Sequence, residues 1–206
     1  MSETTLRSLR LSLASLLTVA LLAQLAIGMS RADLTVANFF SFFTILSNTA
    51  AVVMLFLLAA RPNRIVEQGF SIFRGAVTVY MSVTGLVYAT LLGPTGIDVG
   101  LTEPWVNWSL HIIGPVAVAA DWLVHRPGVR LRDTSLLFWL GFPAAYLVYT
   151  LVRGAIVGWY PYPFLDPAET SGYGGVALWS GVVLVVILGF GFGYLWWANR
   201  AFPSQA

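Results

Sequence analysis

The chain has 206 residues, of which 58% are hydrophobic and only 10% are charged, whereas a soluble domain carries about 25% charged residues. This composition excludes an ordinary soluble domain and predicts an all-α integral membrane protein, in which each span uses about 20 apolar residues. The net charge of +2 is too small to indicate a nucleic-acid partner, and the absence of Cys excludes disulfides, thiol nucleophiles and thiolate metal sites.

Six apolar segments follow one another along the chain, and we predict that each is a transmembrane helix, since backbone groups in lipid must be satisfied within the segment. The first segment is longer than the apolar core of a signal peptide and lacks a clear cleavage site, so we interpret it as a span. Residues 1–206 are therefore predicted to form a single six-helix transmembrane domain. The predicted spans are residues 10–28, 37–60, 75–92, 105–124, 134–153 and 174–198.

The distribution of Arg predicts the orientation of these spans, because basic residues concentrate in cytoplasmic connections. In the six-span arrangement, one side receives only Arg31 and Arg153. The other side receives Arg7, Arg10, Arg61, Arg64, Arg74, Arg126, Arg130, Arg132 and Arg200. We therefore predict a multi-pass protein of the cell membrane with both the N- and C-termini in the cytoplasm.

The longest outer connection, residues 154–173, is rich in aromatic side chains and contains two prolines that prevent a regular helix, Pro161 and Pro163. Its aromatic residues suit two arrangements. They can form a cap over a cavity that opens outward, or they can lie as a belt at the membrane interface.

Polar residues inside a span are costly in lipid and are therefore candidates for function. Thr44 lies about seven residues into the second predicted span and His111 about seven into the fourth. Since both spans run inward, each residue is expected roughly 10 Å below the outer boundary. A Thr hydroxyl becomes a nucleophile when a neighbouring base takes its proton, and a neutral imidazole is the usual base. Thr44 and His111 are thus candidates for a catalytic pair, although Thr is also common in membrane helices as a packing residue.

Other polar groups have candidate roles around this pair. Asn107 precedes His111 by one helical turn and can orient the imidazole or donate to an oxyanion. Arg153 lies one turn from Tyr149 and can either bind a substrate carboxylate or extend to the interface. Asp121 and Arg74 are expected at the same inner level, where we predict a structural ion pair.

The sequence contains no motif for a metal or an organic cofactor. His111 and His125 are far apart on one helix, no HExxH-type pair is present, and Walker, Rossmann and GxSxG patterns are absent. We therefore expect a site that uses no cofactor.

The segments FFSFFTILSN and WVNWSLHIIGP resemble the androgen-induced-protein family, which includes the androgen-dependent TFPI-regulating protein. The animal members are six-span threonine hydrolases of fatty acid esters of hydroxy fatty acids, and this chain looks closer to their bacterial relatives. The resemblance implies a membrane lipid or fatty acyl ester as substrate. It also implies a Thr nucleophile, aligned with Thr44, and a catalytic imidazole, aligned with His111, with Trp105 and Asn107 matching as well.

The chain departs from the animal pattern at two positions, since Trp108 replaces a His and Ile112 replaces a Thr. The leading hypothesis is a membrane-embedded ester hydrolase, with Thr44 and His111 as catalytic residues, Asn107 as an orienting or oxyanion group, and Arg153, Tyr149 and Trp105 as substrate contacts. A non-enzymatic transporter or lipid-binding protein is the alternative, and a structural partner of another membrane complex is a third.

Overall fold

The computed structural model describes residues 2–31, 34–93 and 103–202, and the regular secondary structure in these ranges is entirely helical. The helices are α1 (Glu3–Arg31), α2 (Val36–Phe39), α3 (Phe43–Ala60), α4 (Gln68–Val87), α5 (Pro104–Trp108), α6 (Gly114–Val124), α7 (Ser135–Val157) and α8 (Gly172–Asn199). A π-helical turn at Tyr88–Leu92 extends α4, and a second at Ser109–Ile113 joins α5 to α6. Short 3₁₀ turns lie at Pro62–Val66 and Pro163–Leu165.

Five helical stretches in the described ranges are long and apolar enough to cross a membrane. They are Glu3–Ser30, Phe43–Ala60, Gln68–Leu92, Ser135–Val157 and Gly172–Asn199. Large apolar side chains on their outer faces are exposed, for example Ile156 at 77% and Val185 at 69%. An apolar outer surface of this kind is unfavourable in water and natural in a lipid bilayer. The chain is therefore an all-helical membrane protein.

The centre of the molecule is α4, which packs against α3, α6, α7 and α8. Small and hydroxyl-bearing residues recur along it at intervals of three or four, which aligns them on the helix surface and lets neighbouring helices approach closely. These residues are Ser71, Gly75, Thr78, Ser82 and Gly85. Their hydroxyl groups bond to backbone carbonyls, as Thr78 does to Arg74 and Ser82 does to Thr78.

The second predicted span, residues 37–60, is not one continuous helix. The chain is extended at Phe42, with φ −81° and ψ 127°, and α3 begins only at Phe43. Two contacts satisfy the polar groups around this break: the Ser41 hydroxyl donates to the Ala37 carbonyl at 2.8 Å, and the Tyr146 hydroxyl donates to the Ser41 carbonyl at 2.8 Å. Because neighbouring groups satisfy the interrupted backbone, the break is tolerated in an apolar setting.

Charged residues from three helices meet at one end of the molecule. The Asp121 carboxylate accepts from Arg74 Nη2 at 2.9 Å, which confirms the predicted ion pair, and also from Arg10 Nε at 2.8 Å. Arg10 in addition contacts His125 Nδ1 at 2.7 Å. Both guanidinium groups are almost fully buried, so Asp121 neutralises charge that is held away from water.

Replacing Asp121 with Asn should therefore destabilise the protein. The substitution leaves two buried guanidinium groups without their shared carboxylate, and breaking a buried pair costs about 3–5 kcal/mol. A lowered melting temperature in detergent is expected. The matched control is Glu67→Gln, which removes an exposed carboxylate 3.5 Å from Arg64 and should change the melting temperature little. Equal melting of the Asp121→Asn variant and the wild type would contradict a structural role for the cluster.

Candidate active site

Thr44 is the second residue of α3, because the break at Phe42 moves the start of the helix to Phe43. The first N–H groups of a helix have no partner within it, and the Thr44 N–H donates to the Tyr162 hydroxyl at 3.3 Å. The hydroxyl oxygens of Thr44 and Tyr162 lie 3.4 Å apart. Thr44 is thus at a helix N-terminus, with its side chain beside a phenol that comes from the connection between α7 and α8.

His111 lies inside the π-helical turn Ser109–Ile113, a feature that occurs often at functional sites. Its Nδ1 is 3.2 Å from the Asn107 carbonyl. A carbonyl only accepts, so Nδ1 carries the proton and Nε2 is the nitrogen that can act as a base. The imidazole also stacks on the Tyr88 ring, with centroids 4.3 Å apart, and the Asn107 side chain donates to the Tyr88 hydroxyl. Both ring position and tautomer are therefore fixed by neighbours.

Asn48 joins the helix that carries Thr44 to the turn that carries His111. Its side-chain amide donates to the Thr44 carbonyl at 2.9 Å and to the Leu110 carbonyl at 3.1 Å. Asn48 is fully buried, so water does not compete for these bonds. The amide holds the first turn of α3 at a defined distance from the residue next to His111.

Thr44 and His111 line the same narrow cavity, whose volume of about 20 Å³ is enough for about one water molecule. The remaining walls are mostly apolar: Gln24, Leu34, Phe39, Phe42, Ile45, Leu92, Leu110 and Tyr162. Within the described residues the two candidate catalytic side chains do not hydrogen-bond to each other, since the bonds of Thr44 go to Tyr162 and that of His111 goes to Asn107. The small cavity that both side chains line is the space that they share.

A second, wider cavity of about 710 Å³ also reaches Thr44. Apolar residues of α4, α7, α8 and the connection before α8 make up most of its wall. Thr44, Tyr162 and Leu92 line both cavities, whereas His111 lines only the narrow one. The candidate nucleophile therefore lies where two largely apolar spaces meet.

The connection that supplies Tyr162 folds over this junction. This connection begins at Gly158, the residue that follows the last residue of α7. Its φ of 67° is the left-handed conformation in which Gly commonly ends a helix. The Tyr162 ring packs edge-on against Phe42 and stacks on Phe164, with centroids 5.8 and 5.2 Å apart. Tyr162 is only 5% exposed, which favours the cap over the interfacial belt. Burial raises the pKa of the Tyr162 phenol above its usual value, so the hydroxyl keeps its proton.

The other predicted substrate contacts lie elsewhere in the described part of the chain. Arg153 donates to the Asn38 side chain at 2.5 Å and lies over the Trp159 ring. Tyr149 is 3.3 Å from the Ser41 hydroxyl, and Trp105 is largely exposed. None of the three is a lining residue of the two cavities at Thr44, so their role in binding substrate stays a prediction.

The two positions at which the chain departs from the animal pattern are also outside these cavities. Trp108 and Ile112 are both exposed and line neither space. The replacement of a His by Trp108 therefore removes no group from the cavity walls around Thr44 and His111.

Sequence reasoning missed Tyr88 and Tyr162 as residues of the site. It also missed the bridging function of Asn48. Asn48 is a polar residue within a predicted span, but one sequence does not show which helix it contacts. Tyr162 lies in a connection whose aromatic residues suit an interfacial belt equally well. Tyr88 resembles any other aromatic residue near a helix end, so no signal marked it.

A comparison with protein families agrees with the resemblance noted in the sequence. The model for FAR-17a/AIG1-like protein matches residues 84–196, which is more than half of the chain. The matched range contains His111, Asn107, Tyr88 and Tyr162 but begins after Thr44. No curated protein and no solved structure matches the chain significantly. With the family match covering most of the site, the chain belongs to the FAR-17a/AIG1-like, or androgen-induced, protein family.

Proposed function

We propose that this protein is a membrane-embedded hydrolase of lipid-like esters, with a fatty acyl ester as substrate and Thr44 as nucleophile. The observation that carries the proposal is that Thr44 and His111 line one cavity, at the point where a second apolar cavity also reaches Thr44. An ester of a lipid needs this combination, because its carbonyl must meet the nucleophile while its apolar parts remain out of water.

In the proposed reaction, His111 Nε2 takes the proton of the Thr44 hydroxyl while Oγ1 attacks the ester carbonyl. The tetrahedral intermediate then loses the alcohol, which receives that same proton from the imidazole. Water, activated by His111, attacks the acyl-Thr44 ester and releases the fatty acid, which restores the Thr44 hydroxyl. No metal or organic cofactor takes part in any step.

Tyr162 is the proposed donor to the oxyanion of the tetrahedral intermediate. Its oxygen accepts from the Thr44 N–H at 3.3 Å, which leaves its own O–H to donate toward the carbonyl oxygen of a substrate bound at Thr44. A donor that is already in position in an apolar site stabilises developing charge strongly. This assignment gives the oxyanion role to Tyr162 rather than to Asn107, whose side chain bonds to Tyr88.

Asn107, Tyr88 and Asn48 are proposed as positioning residues. The Asn107 carbonyl holds the Nδ1 proton of His111, and the Tyr88 ring supports one face of the imidazole. Asn48 links the nucleophile's helix to the turn of the base. Catalytic groups gain from such support because small displacements of reacting atoms lower rates steeply.

We further propose six membrane spans with both termini in the cytoplasm of the cell membrane. The helical stretch 104–124 is the remaining span, fourth in chain order, and its polar residues Asn107, His111 and Asp121 explain why it is less apolar than the other five. The Arg10, Asp121 and Arg74 cluster supports this arrangement, since the start of α1, the start of α4 and the end of α6 meet there.

Reporter fusions check this topology. Cytoplasmic reporters at the N-terminus, after residue 66, after residue 129 and at the C-terminus should be active, and reporters near residues 98 and 168 should show an external location. The expectation follows from the concentration of Arg on one side. A cytoplasmic signal at residue 168 would contradict the six-span arrangement.

The proposed function is tested directly by covalent labelling in membranes. A fluorophosphonate probe should label the wild type and fail to label Thr44→Ala, because the probe reacts only with an activated hydroxyl. The matched control is Thr49→Ala on the same helix, whose hydroxyl bonds to the Ile45 carbonyl at 2.7 Å and lines neither cavity. Labelling of all three proteins alike, or of none, would count against the hydrolase and favour a lipid-binding protein.

A further inference from the structure

Two arginine side chains lie against the same tryptophan ring, where α6 and α8 end. The guanidinium carbon of Arg126, in the connection after α6, is 4.2 Å from the centroid of the Trp197 ring, and that of Arg200, the residue after α8, is 3.8 Å from it. Two positive charges are thereby held close together. Among the described residues, neither guanidinium group forms an ion pair or a hydrogen bond, so no carboxylate offsets their mutual repulsion.

Hydrogen bonds between distant parts of the chain hold this ring and its arginines in place. Trp197 Nε1 donates to the Leu123 carbonyl at 3.1 Å, which fixes the indole against the end of α6. The Asn199 amide donates to the Leu131 carbonyl at 2.8 Å, and the Leu131 N–H donates to the Asn199 side-chain oxygen at 2.9 Å. These bonds attach the connection that carries Arg126 to the last turn of α8. The ring and the backbone that present the two guanidinium groups are therefore positioned before a ligand arrives.

The chemistry of the pair suits an anion that carries several oxygens. A guanidinium group that lies over an aromatic ring keeps N–H donors that can bind a phosphate in a bidentate manner. Arg126 is half-buried and Arg200 is exposed, so an anion can reach both. A phosphate bound by both side chains would accept from two guanidinium groups and would remove the repulsion between them.

The surroundings of the pair are those of a lipid. Leu123 shortly precedes Arg126 and Trp196 precedes Trp197, and the large apolar side chains of Leu123 and Trp196 are exposed, as suits a surface that faces acyl chains. We propose that Arg126, Trp197 and Arg200 form a binding site for the phosphate of an anionic phospholipid, whose acyl chains lie along the neighbouring apolar side chains. Basic residues at the ends of membrane helices bind such headgroups.

Lipid binding to the whole chain in detergent tests the proposal. It does so independently of the hydrolase, because none of the three residues lines either cavity at Thr44. Phosphatidylglycerol should bind to the wild type, as measured by native mass spectrometry and by a raised melting temperature. Phosphatidylcholine, whose choline offsets the phosphate charge, and inorganic phosphate should each bind at least about tenfold more weakly. The double variant Arg126→Gln/Arg200→Gln should bind phosphatidylglycerol at least about tenfold more weakly than the wild type.

The matched control is the double variant Arg7→Gln/Arg61→Gln, which removes the same charge from two exposed arginines that do not lie on the Trp197 ring. It should bind phosphatidylglycerol within about twofold of the wild type. The double variant Arg126→Lys/Arg200→Lys keeps both charges and loses the planar groups that lie on the ring, so its binding should be weaker by about threefold or more. The Lys variant decides the question if a melt without lipid shows that Arg126→Gln/Arg200→Gln does not fold.

Four results would overturn the proposal. Equal weakening in the two Gln double variants would show attraction to the basic surface as a whole and not to a site. Equal binding of phosphatidylglycerol and phosphatidylcholine would remove the requirement for an anionic lipid. Inorganic phosphate that binds as tightly as phosphatidylglycerol would indicate a site for a free ion. Wild-type binding by the Lys variant would show that the planar groups on the indole ring have no part in recognition.

Discussion

Thr44→Ala should reduce ester hydrolysis by at least about 10⁴-fold, to near the background rate. The variant removes the only atom that can form the acyl-enzyme, and the wide cavity at residue 44 remains available to bind substrate. His111→Ala should have a comparable effect, because the hydroxyl is a poor nucleophile without a base. The measurement is kcat on a fatty acyl ester in detergent or vesicles, with KM expected to change little.

The double variant gives the more specific result. If Thr44 and His111 act as one unit, the double variant should be no slower than either single variant. Thr44→Ser should retain measurable activity, since it keeps the hydroxyl. The control Thr49→Ala should stay within about twofold of the wild type. Additive losses in the double variant, or more than a tenth of the activity left in Thr44→Ala, would contradict the pair.

Tyr162→Phe should lower kcat by about 100-fold, the usual cost of losing one oxyanion donor, with little change in KM. The phenyl ring keeps the packing against Phe42 and Phe164, so the variant removes only the hydroxyl. A donor to the intermediate acts after substrate has bound, and this predicts an effect on kcat. The measurement is steady-state kinetics together with a thermal melt of the same preparation.

The melting temperature distinguishes a loss of catalysis from a loss of stability. This control is needed because the Tyr162 hydroxyl also accepts a hydrogen bond from the Thr44 N–H at the N-terminus of α3. The matched control is Tyr194→Phe, which removes another buried hydroxyl, 2.7 Å from that of Ser82, from a residue that lines neither cavity. Both variants should melt at somewhat lower temperature, and only Tyr162→Phe should lose kcat. A loss of stability in Tyr162→Phe with kcat retained would show that the hydroxyl only caps the helix.

Thr44 and His111 could be named as candidates without coordinates. A hydroxyl and an imidazole in apolar segments need a reason to be there, and the short motifs around Thr44 and His111 resemble those of the family that the family comparison then identified. The equal-depth argument assumed a continuous helix over residues 37–60. The helix breaks at Phe42, so the common cavity, and not a count of residues along two regular helices, is what associates them.

The amino-acid sequence by itself determined the helical membrane character, the pairing of Asp121 with Arg74, and the choice of Thr44 and His111 as candidates. These features follow from local rules: lipid forces apolar backbone into helices, and buried charges require partners. The tertiary structure alone decided the break before α3, the π-helical turn at His111, the bridge made by Asn48 and the insertion of Tyr162 beside Thr44. Each of these depends on a group from a distant part of the chain satisfying a backbone or side-chain polar atom, and hydrophobic periodicity carries no information about which distant group that is.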